Sequence, residues 1–112
     1  MKKIEAIVRP NKVGEVCKIL NKVGHPGLMI TEIEGHGKQK GMTKTLRGKE
    51  YNVEFMTKTK IDIVAKDEEV EKIVQAIRKA AYTGEVGDGK IFISTVEDAI
   101  RVRTGEKGVI VL

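Results

Sequence analysis

The side chains in this sequence with the clearest chemical potential are positively charged, and several of them border one loop. Lys38, Lys40 and Lys58 lie at the two ends of a basic stretch in the middle of the chain, and Gln39 lies among them. If the two ends lie on adjacent strands, three ammonium groups and an amide come close together. Such a cluster repels itself unless an anion occupies it. The pattern indicates an anion-binding site, and the alternative is a set of solvated lysines that point apart.

A second candidate is the glycine-rich stretch TGEVGDGK from Thr83 to Lys90. Gly84 to Lys90 satisfies the G-x-x-x-x-G-K part of a phosphate-binding loop, but Ile91 stands where that motif has Ser or Thr. The stretch also follows a helical pattern and opens a strand, which is the reverse of that motif's context. Glycines still let backbone N–H groups converge on an anion, and a lysine beside them adds charge. We expect an anion-binding turn here, and the alternative is a plain helix-to-strand turn.

The remaining reactive side chains give weaker signals. Arg101 and Arg103 are spaced for the same side of an extended chain and could clamp phosphates. His25 and His36 lack metal-ligand spacing, and there is no second cysteine to support a zinc site. Cys17 is therefore expected in the core. No combination typical of nucleophilic or paired-carboxylate catalysis is present.

Length and composition indicate one compact domain covering residues 1–112. The net charge of +5 and the pI of about 9.4 permit nucleic acid, acidic membranes or phosphate ligands as partners. A single cysteine favours a reducing compartment. No apolar run approaches the ~20 residues needed to cross a bilayer, and the first ten residues lack the apolar region of a signal peptide. We therefore expect a cytoplasmic protein.

The elements that must position these residues follow from hydrophobic periodicity. Strands are predicted at Lys3–Val8, Leu28–Glu34, Val53–Ile63 and Ile91–Val96. A first helix carries an apolar stripe of Val13, Val16, Cys17 and Leu20, and a second one carries Val70, Ile73, Val74 and Ile77 after a predicted cap at Asp67. The segment between Gly37 and Asn52 has neither period and is predicted to lack regular structure.

The two halves of the chain repeat. Counted from Ile4, the apolar residues of the first helix fall at offsets of 9, 12, 13 and 16, and those of the second helix fall at the same offsets from Ile61. Two strand–helix–strand units in series predict an α+β, ferredoxin-like βαββαβ sandwich with both helices on one sheet face. The other face would leave Met29, Thr31 and Ile33 partly exposed, which predicts a homo-oligomer.

At this point the motifs resemble those of PII nitrogen-regulatory proteins of the GlnB/GlnK type, and the resemblance is to the GlnK-type members above all. It extends over nearly the whole chain without gaps, and its most specific part is the string Thr83-Gly84-x-x-Gly87-Asp88-Gly89-Lys90-Ile91-Phe92. Further matches are Gly35-x-Gly37-x-Gln39-Lys40-Gly41, Arg47-Gly48-x-x-Tyr51 and Ile100-Arg101-x-Arg103-Thr104-Gly105-Glu106.

The resemblance implies a homotrimer of ferredoxin-like subunits, each with a long T-loop (residues 37–55) between strands 2 and 3 and a short C-terminal extension. It implies ATP or ADP in clefts between subunits, held by Met29, Gly35, Gly37, Lys38, Gln39, Val64, Gly87, Asp88, Gly89, Lys90, Arg101 and Arg103. It also implies that 2-oxoglutarate binds through Mg²⁺ bridged to ATP. The metal would be held by Gln39, and the acid by Gln39, Lys58 and the backbone around Lys40 and Gly41.

The implied function is that of a non-enzymatic transducer of nitrogen status. Its T-loop would regulate a target, most simply an Amt-type ammonium transporter blocked by Arg47, with reversible recruitment to the inner face of the membrane. The alternative target is a nitrogen-assimilation enzyme such as glutamine synthetase or nitrogenase. Tyr51 matches a position that is uridylylated in enteric bacteria. Lys38 stands where arginine is common, which would reduce a bidentate phosphate contact to a point charge.

Two readings from other classes deserve comparison. RNA-recognition domains share the βαββαβ order. This chain, however, lacks their RNP1 pattern, and its 4% aromatic content is too low for a base-stacking platform. A small phosphohydrolase would need sustained ATP turnover that depends on Lys90. We expect neither a nucleic-acid partner nor an enzyme.

Overall fold

The computed structural model describes residues 1–25, 27–36, 43–46, 49–52 and 55–112. The strands are β1 (Lys2–Val8), β2 (Met29–His36), β3 (Thr43–Leu46), β4 (Lys49–Asn52), β5 (Phe55–Ala65) and β6 (Lys90–Thr95). The helices are α1 (Val13–Lys22) and α2 (Val70–Ala81), and 3-10 turns cover Pro10–Lys12, Asp67–Glu69 and Val109–Val111. Four strands form one antiparallel sheet in the order β2-β5-β1-β6. The predicted ferredoxin-like βαββαβ arrangement is confirmed.

The core lies between one sheet face and the two helices. Ile4 of β1 is opposite Ile63 of β5 and Ile93 of β6, and alternation along the strands directs these side chains to the same face. The largest fully buried side chains of the core are Ile4, Leu20, Ile61, Ile73, Ile77 and Val16. The predicted apolar stripes of both helices therefore supply the contacts that hold the helices on the sheet.

Cys17 departs from its predicted place in the core. It is half-buried, and it borders an open cleft with Lys18, Asn21 and Leu28. Val16 and Leu20 occupy the positions of α1 that face the sheet directly and are completely buried. The stripe of α1 is narrower than its sequence indicates, so Cys17 lies on the flank of the helix.

Asp67 also departs from its predicted role as a helix cap. It begins a 3-10 turn that runs directly into α2, so the capping position falls to Glu69, which makes no side-chain capping bond. The Asp67 carboxylate instead lies 3.0 Å from the amino group of Met1. This ion pair lowers the pKa of Asp67, through its hydrogen bond first and its charge second.

On the sheet face away from the helices, the edge strands leave side chains exposed, as predicted. Met29 of β2 is 61% exposed and Phe92 of β6 is 53% exposed, while Thr31 is exposed and Ile33 is half-buried. We call this surface the open face. It belongs to two edge strands and their neighbours, and its uncovered apolar side chains favour association with a partner.

The centre of the open face carries a network of charges. Lys60 Nζ lies 3.5 Å from Glu5 Oε1 and 3.8 Å from Asp62 Oδ2, and Lys3 Nζ lies 3.8 Å from Asp62 Oδ1. Asp62 is only 6% exposed, and its Oδ1 atom accepts no hydrogen bond within the described part of the chain. Neighbouring charges of opposite sign therefore hold this carboxylate by long ion pairs.

The central segment contains more regular structure than its periodicity predicts. Strands β3 and β4 pair antiparallel, with Thr43 opposite Asn52 and Leu46 opposite Lys49. Threonine and tyrosine are enriched in strands, but the pairing of two short segments is not visible in the pattern of either one. The interpretation of residues 43–46 and 49–52 as lacking regular structure was therefore wrong.

Candidate anion-binding site

The glycine-rich loop between α2 and β6, residues 82–89, is organised around one carboxylate. The backbone N–H groups of Thr83 and Gly84 donate to Asp88 Oδ2 at 2.9 and 3.0 Å, and the Thr83 hydroxyl donates to Asp88 Oδ1. These bonds hold the pKa of Asp88 well below its usual range, and the Thr83 hydroxyl makes the largest contribution. The carboxylate is therefore ionised and turned towards its own loop.

Arg9 fastens this loop to the end of β1. Its Nε donates to Asp88 Oδ1 at 3.3 Å, and its Nη2 donates to the Val86 carbonyl at 2.9 Å. The sequence reasoning missed Arg9 because a basic residue before a proline resembles any strand end. Only the pairing of β1 with β6 brings residue 9 to the loop that precedes β6.

Gly89 lies flat against β1 at a place where only glycine fits. Its φ is +104°, and a Cβ atom built on it would lie 1.7 Å from the Ile7 carbonyl oxygen. This close approach lets β6 begin at once beside β1, with Lys90 opposite Ile7. The loop is thereby fixed at the edge of the open face.

Lys58 joins the loop from β5. It lies on the open face, opposite Ile33, is only 7% exposed, and donates a hydrogen bond from Nζ to the Gly87 carbonyl. Burial lowers the pKa of Lys58, the Arg9 guanidinium lowers it further, and Asp88 partly opposes both. A nearly buried ammonium beside a second cation is stabilised by an anion, so this corner of the sheet is suited to bind one.

In the structure, two candidate anion sites that are separate in the sequence analysis contact each other. Lys58 was predicted to cluster with lysines at the loop roots, whereas Gly87, Asp88, Gly89 and Lys90 formed a second site. In the folded chain Lys58 contacts Gly87 directly. Six predicted site residues, Gly37, Lys38, Gln39, Lys40, Gly41 and Arg47, lie outside the described residues.

Other predicted residues lie further away. Gly35 is opposite Met56, two positions from Lys58 along β5, so it stays near the site. Met29 is opposite Asp62, and Val64 is opposite Lys3. Val64 is six positions from Lys58, or about 20 Å at the usual rise of a strand. Tyr51 lies in β4, opposite Lys44.

The two C-terminal arginines do not form the predicted extended clamp. The segment folds as a turn in which Gly105 N donates to the Arg101 carbonyl and Arg101 N donates to the Glu106 carbonyl, both at 2.8 Å. The Arg101 guanidinium is bound by the Glu106 carboxylate, which also accepts the Thr104 hydroxyl at 2.8 Å. Gly105 has a φ of +74°, which permits this reversal of the chain. The interpretation of residues 101–103 as extended was wrong.

Two further observations concern metals and membranes. Among the described residues no group of three or more His, Cys, Asp or Glu side chains is placed to hold a metal ion. The helices in the same ranges are too short or too polar to cross a bilayer.

Replacing Asp88 by asparagine is expected to lower stability at neutral pH and to lose this effect in acid. The folded-state pKa of Asp88 is depressed. The stability that the ionised Asp88 contributes is therefore complete above the unfolded-state pKa of about 3.9. It declines as the pH falls from there towards the folded-state pKa. Thermal unfolding at pH 7 and pH 3 measures the difference. Asp98→Asn removes a carboxylate that, among the described residues, bonds only the adjacent Ala99 N–H, and it is the matched control. If the stability difference between wild type and Asp88→Asn is the same at both pH values, the role assigned to the Asp88 carboxylate is contradicted.

Comparison with known proteins gives the family. Residues 1–106 match the family model described as nitrogen regulatory protein P-II. Three similar relatives are a nitrogen regulatory protein P-II of Bradyrhizobium diazoefficiens, one of Azospirillum brasilense, and the P-II 2 protein of Methanothermobacter thermautotrophicus. They are 55%, 53% and 49% identical over 108 residues, which cover 96% of this chain and 96%, 96% and 94% of the relatives. The chain therefore belongs to the P-II family of nitrogen regulatory proteins, which are signal proteins and not enzymes.

Proposed function

We propose that this protein reports nitrogen status by binding ATP or ADP, and 2-oxoglutarate together with Mg²⁺ and ATP, between the subunits of a homotrimer. The observation that carries this proposal is the nearly buried Lys58 at the glycine loop, beside Arg9. A phosphate or carboxylate group compensates the charge that the fold concentrates there. The physiological output is a change of the T-loop (37–55), which regulates a target protein.

The chemistry of the donor set matches the two ligand types. Backbone N–H groups of the glycine loop and the Lys90 ammonium suit the phosphates of a nucleotide. Lys58, with the backbone at Lys40 and Gly41, suits a carboxylate of 2-oxoglutarate. Mg²⁺ prefers oxygen ligands and is commonly shared with substrate phosphates, so the Gln39 amide oxygen is an appropriate protein ligand. When bound, the ion neutralises charge between the nucleotide and the acid.

The position of the remaining site residues favours an oligomer. Arg101 and Arg103 follow β6, whereas Lys90 begins it, and a six-residue strand spans about 20 Å. Within one chain the Arg101 guanidinium is bound to Glu106. A neighbouring copy can place its arginines against the glycine loop. A head-to-tail contact of this kind closes into a ring, and the open face supplies apolar surface to bury.

Replacing Gln39 by alanine is expected to weaken 2-oxoglutarate binding in the presence of Mg²⁺ and ATP about tenfold or more, the effect of losing one bond to a charged group. ADP binding should change far less, because ADP does not require the bridged ion. Isothermal titration calorimetry measures both affinities. Gln75→Ala is the control, because within the described ranges the exposed side chain of Gln75 bonds only to Glu71. Equal losses for both ligands would contradict the metal-bridging role.

Replacing Arg47 by alanine is expected to abolish capture by an Amt-type ammonium transporter and to leave nucleotide binding unchanged. The transporter's channel offers the T-loop a narrow opening in which one long cation can be inserted, and recruitment from cytoplasm to membrane follows. Co-sedimentation with vesicles that contain the transporter measures capture. Lys49→Ala, a charge removed from the same loop, is the matched control. Capture retained by Arg47→Ala would place the contact elsewhere. Binding to glutamine synthetase or nitrogenase in its place would support the alternative target.

A further inference from the structure

A cleft of about 370 Å³ lies beside the edge strand β6, between this strand and the C-terminal half of α2. Its apolar wall comes from both elements, with Val74 and Ala81 from α2 and Ile91 and Ile93 from β6. Because Ile93 shares its sheet face with Ile4, this wall belongs to the helix-covered side. The apolar part of the cleft is thus on the opposite side of the sheet from the open face where Lys58 lies, and Ile7 and Lys90, at open-face positions of the register, complete the lining.

The apolar wall is incompletely covered. Ile93 is 50% exposed although it extends the row of the buried core residues Ile4 and Ile63. Two helices cannot cover a four-stranded sheet out to its edge strand, so the side chain of β6 remains accessible to a ligand. A cleft of this volume, with apolar walls and few polar groups, has the character of a small-molecule site.

The part of the cleft formed by α2 carries a cation. Arg78 of α2 lines the cleft, is exposed, and forms no ion pair with any other residue in the described ranges. Asp88 also lines it, but its carboxylate is engaged by Thr83, Gly84 and Arg9. Tyr82, which is 69% exposed, adds an aromatic face at the same end.

We propose that this cleft binds a small amphipathic anion, with an aromatic or alicyclic body against Ile91, Ile93 and Ala81 and a carboxylate, sulfonate or phosphate on Arg78. The cleft differs from the proposed dicarboxylate site, because Lys58 does not line it, and it adjoins the proposed nucleotide site at Asp88, Gly89 and Lys90. A ligand in the cleft therefore touches the start of β6 and can influence the glycine loop from behind.

The test uses 8-anilino-1-naphthalenesulfonate, an aromatic anion whose fluorescence rises in apolar surroundings. Titration of the full chain should show saturable binding of one probe per chain. Arg78→Gln should weaken it about fivefold, the effect of losing one exposed ion pair. Lys79→Gln removes the neighbouring charge of α2, which does not line the cleft, and should leave the affinity unchanged.

A second pair of variants identifies the side of the sheet. Ile93→Ser should weaken the probe about tenfold by removing apolar contact, whereas Phe92→Ser, equally exposed but on the open face, should have little effect. Lys58→Met should also leave probe binding intact. Circular dichroism confirms that each variant is folded.

Loss of probe binding in Phe92→Ser but not in Ile93→Ser would place the probe on the open face and overturn the proposal. The absence of saturable binding to the folded wild type would also overturn it, since a neighbouring copy or solvent would then occupy the cleft.

Discussion

Replacing Gly89 by alanine is expected to lower the free energy of unfolding by about 3 kcal/mol or more, because a strained backbone and a steric clash are combined. The new Cβ would lie 1.7 Å from the Ile7 carbonyl oxygen, which belongs to the backbone of β1 in the middle of the sheet. The oxygen cannot move without breaking the pairing of β1 with its neighbours. The loop must therefore lift away from the strand, and Gly87 moves with it. Urea unfolding measures the loss.

The same substitution is expected to impair the site. Lys58 is positioned by the Gly87 carbonyl, two residues before Gly89. A loop that has moved off β1 no longer presents Gly87 and Lys90 to the same ligand, so nucleotide affinity should fall together with stability. Calorimetry with ATP on the folded variant, at a temperature below its unfolding transition, tests this consequence.

Gly24→Ala is the matched control for this prediction. Gly24 has a similar φ of +92°, but a Cβ atom there would meet nothing within 4 Å. Its replacement should therefore cost only the backbone strain, roughly 1 kcal/mol. The difference between the two variants isolates the clash with β1. Equal losses would show that Gly89 acts only through its φ angle.

Replacing Lys58 by methionine is expected to weaken 2-oxoglutarate binding about 10- to 100-fold in the presence of Mg²⁺ and ATP, the effect of losing a charge-assisted hydrogen bond. Stability without ligand should change by less than about 1 kcal/mol, because the variant loses one bond to Gly87 but also loses a buried charge next to Arg9. The Lys58 ammonium is therefore expected to contribute more to ligand binding than to the stability of the fold. Calorimetry and urea unfolding measure the two effects.

The pH dependence of this variant has a definite sign. The pKa of Lys58 is lower in the folded chain, so its charge opposes folding below the folded-state pKa. As the pH rises through that value towards the unfolded pKa of about 10.4, this penalty disappears. The stability of wild type relative to Lys58→Met should therefore increase in the alkaline range. A decrease would contradict the assignment.

Lys60→Met provides the contrasting control. Lys60 lies on the same strand and sheet face as Lys58, but it pairs with Glu5 and Asp62. Its loss leaves Asp62 with Lys3 as its one remaining ion-pair partner among the described residues, so stability should fall by about 1 kcal/mol while ligand affinity is kept. If Lys60→Met lowered ligand affinity and Lys58→Met did not, ligand binding would be assigned to Lys60.

The sequence by itself determined the architecture. Alternation in Ile4, Ala6 and Val8 marks one face of β1, and the repeated stripe of α1 and α2 marks the surface that each helix buries. Both signals are local, because the hydrophobic period of a helix or strand can be seen within a short run of consecutive residues. Two copies of one unit then leave few arrangements for the sheet, and the open face with Met29 exposed follows from having two helices on one side.

Only the tertiary structure decided how the site is assembled. Arg9 reaches Val86 and Asp88, and Lys58 reaches Gly87, across long stretches of chain whose spacing carries no periodic signal. Tertiary contacts also decided two other features. These are the turn in which Arg101 binds Glu106 and the position of Cys17 on the flank of α1. The physical reason is that burial, charge pairing and the close approach of Gly89 to β1 depend on which strands are neighbours. Strand order is a property of the packed sheet and not of any one segment.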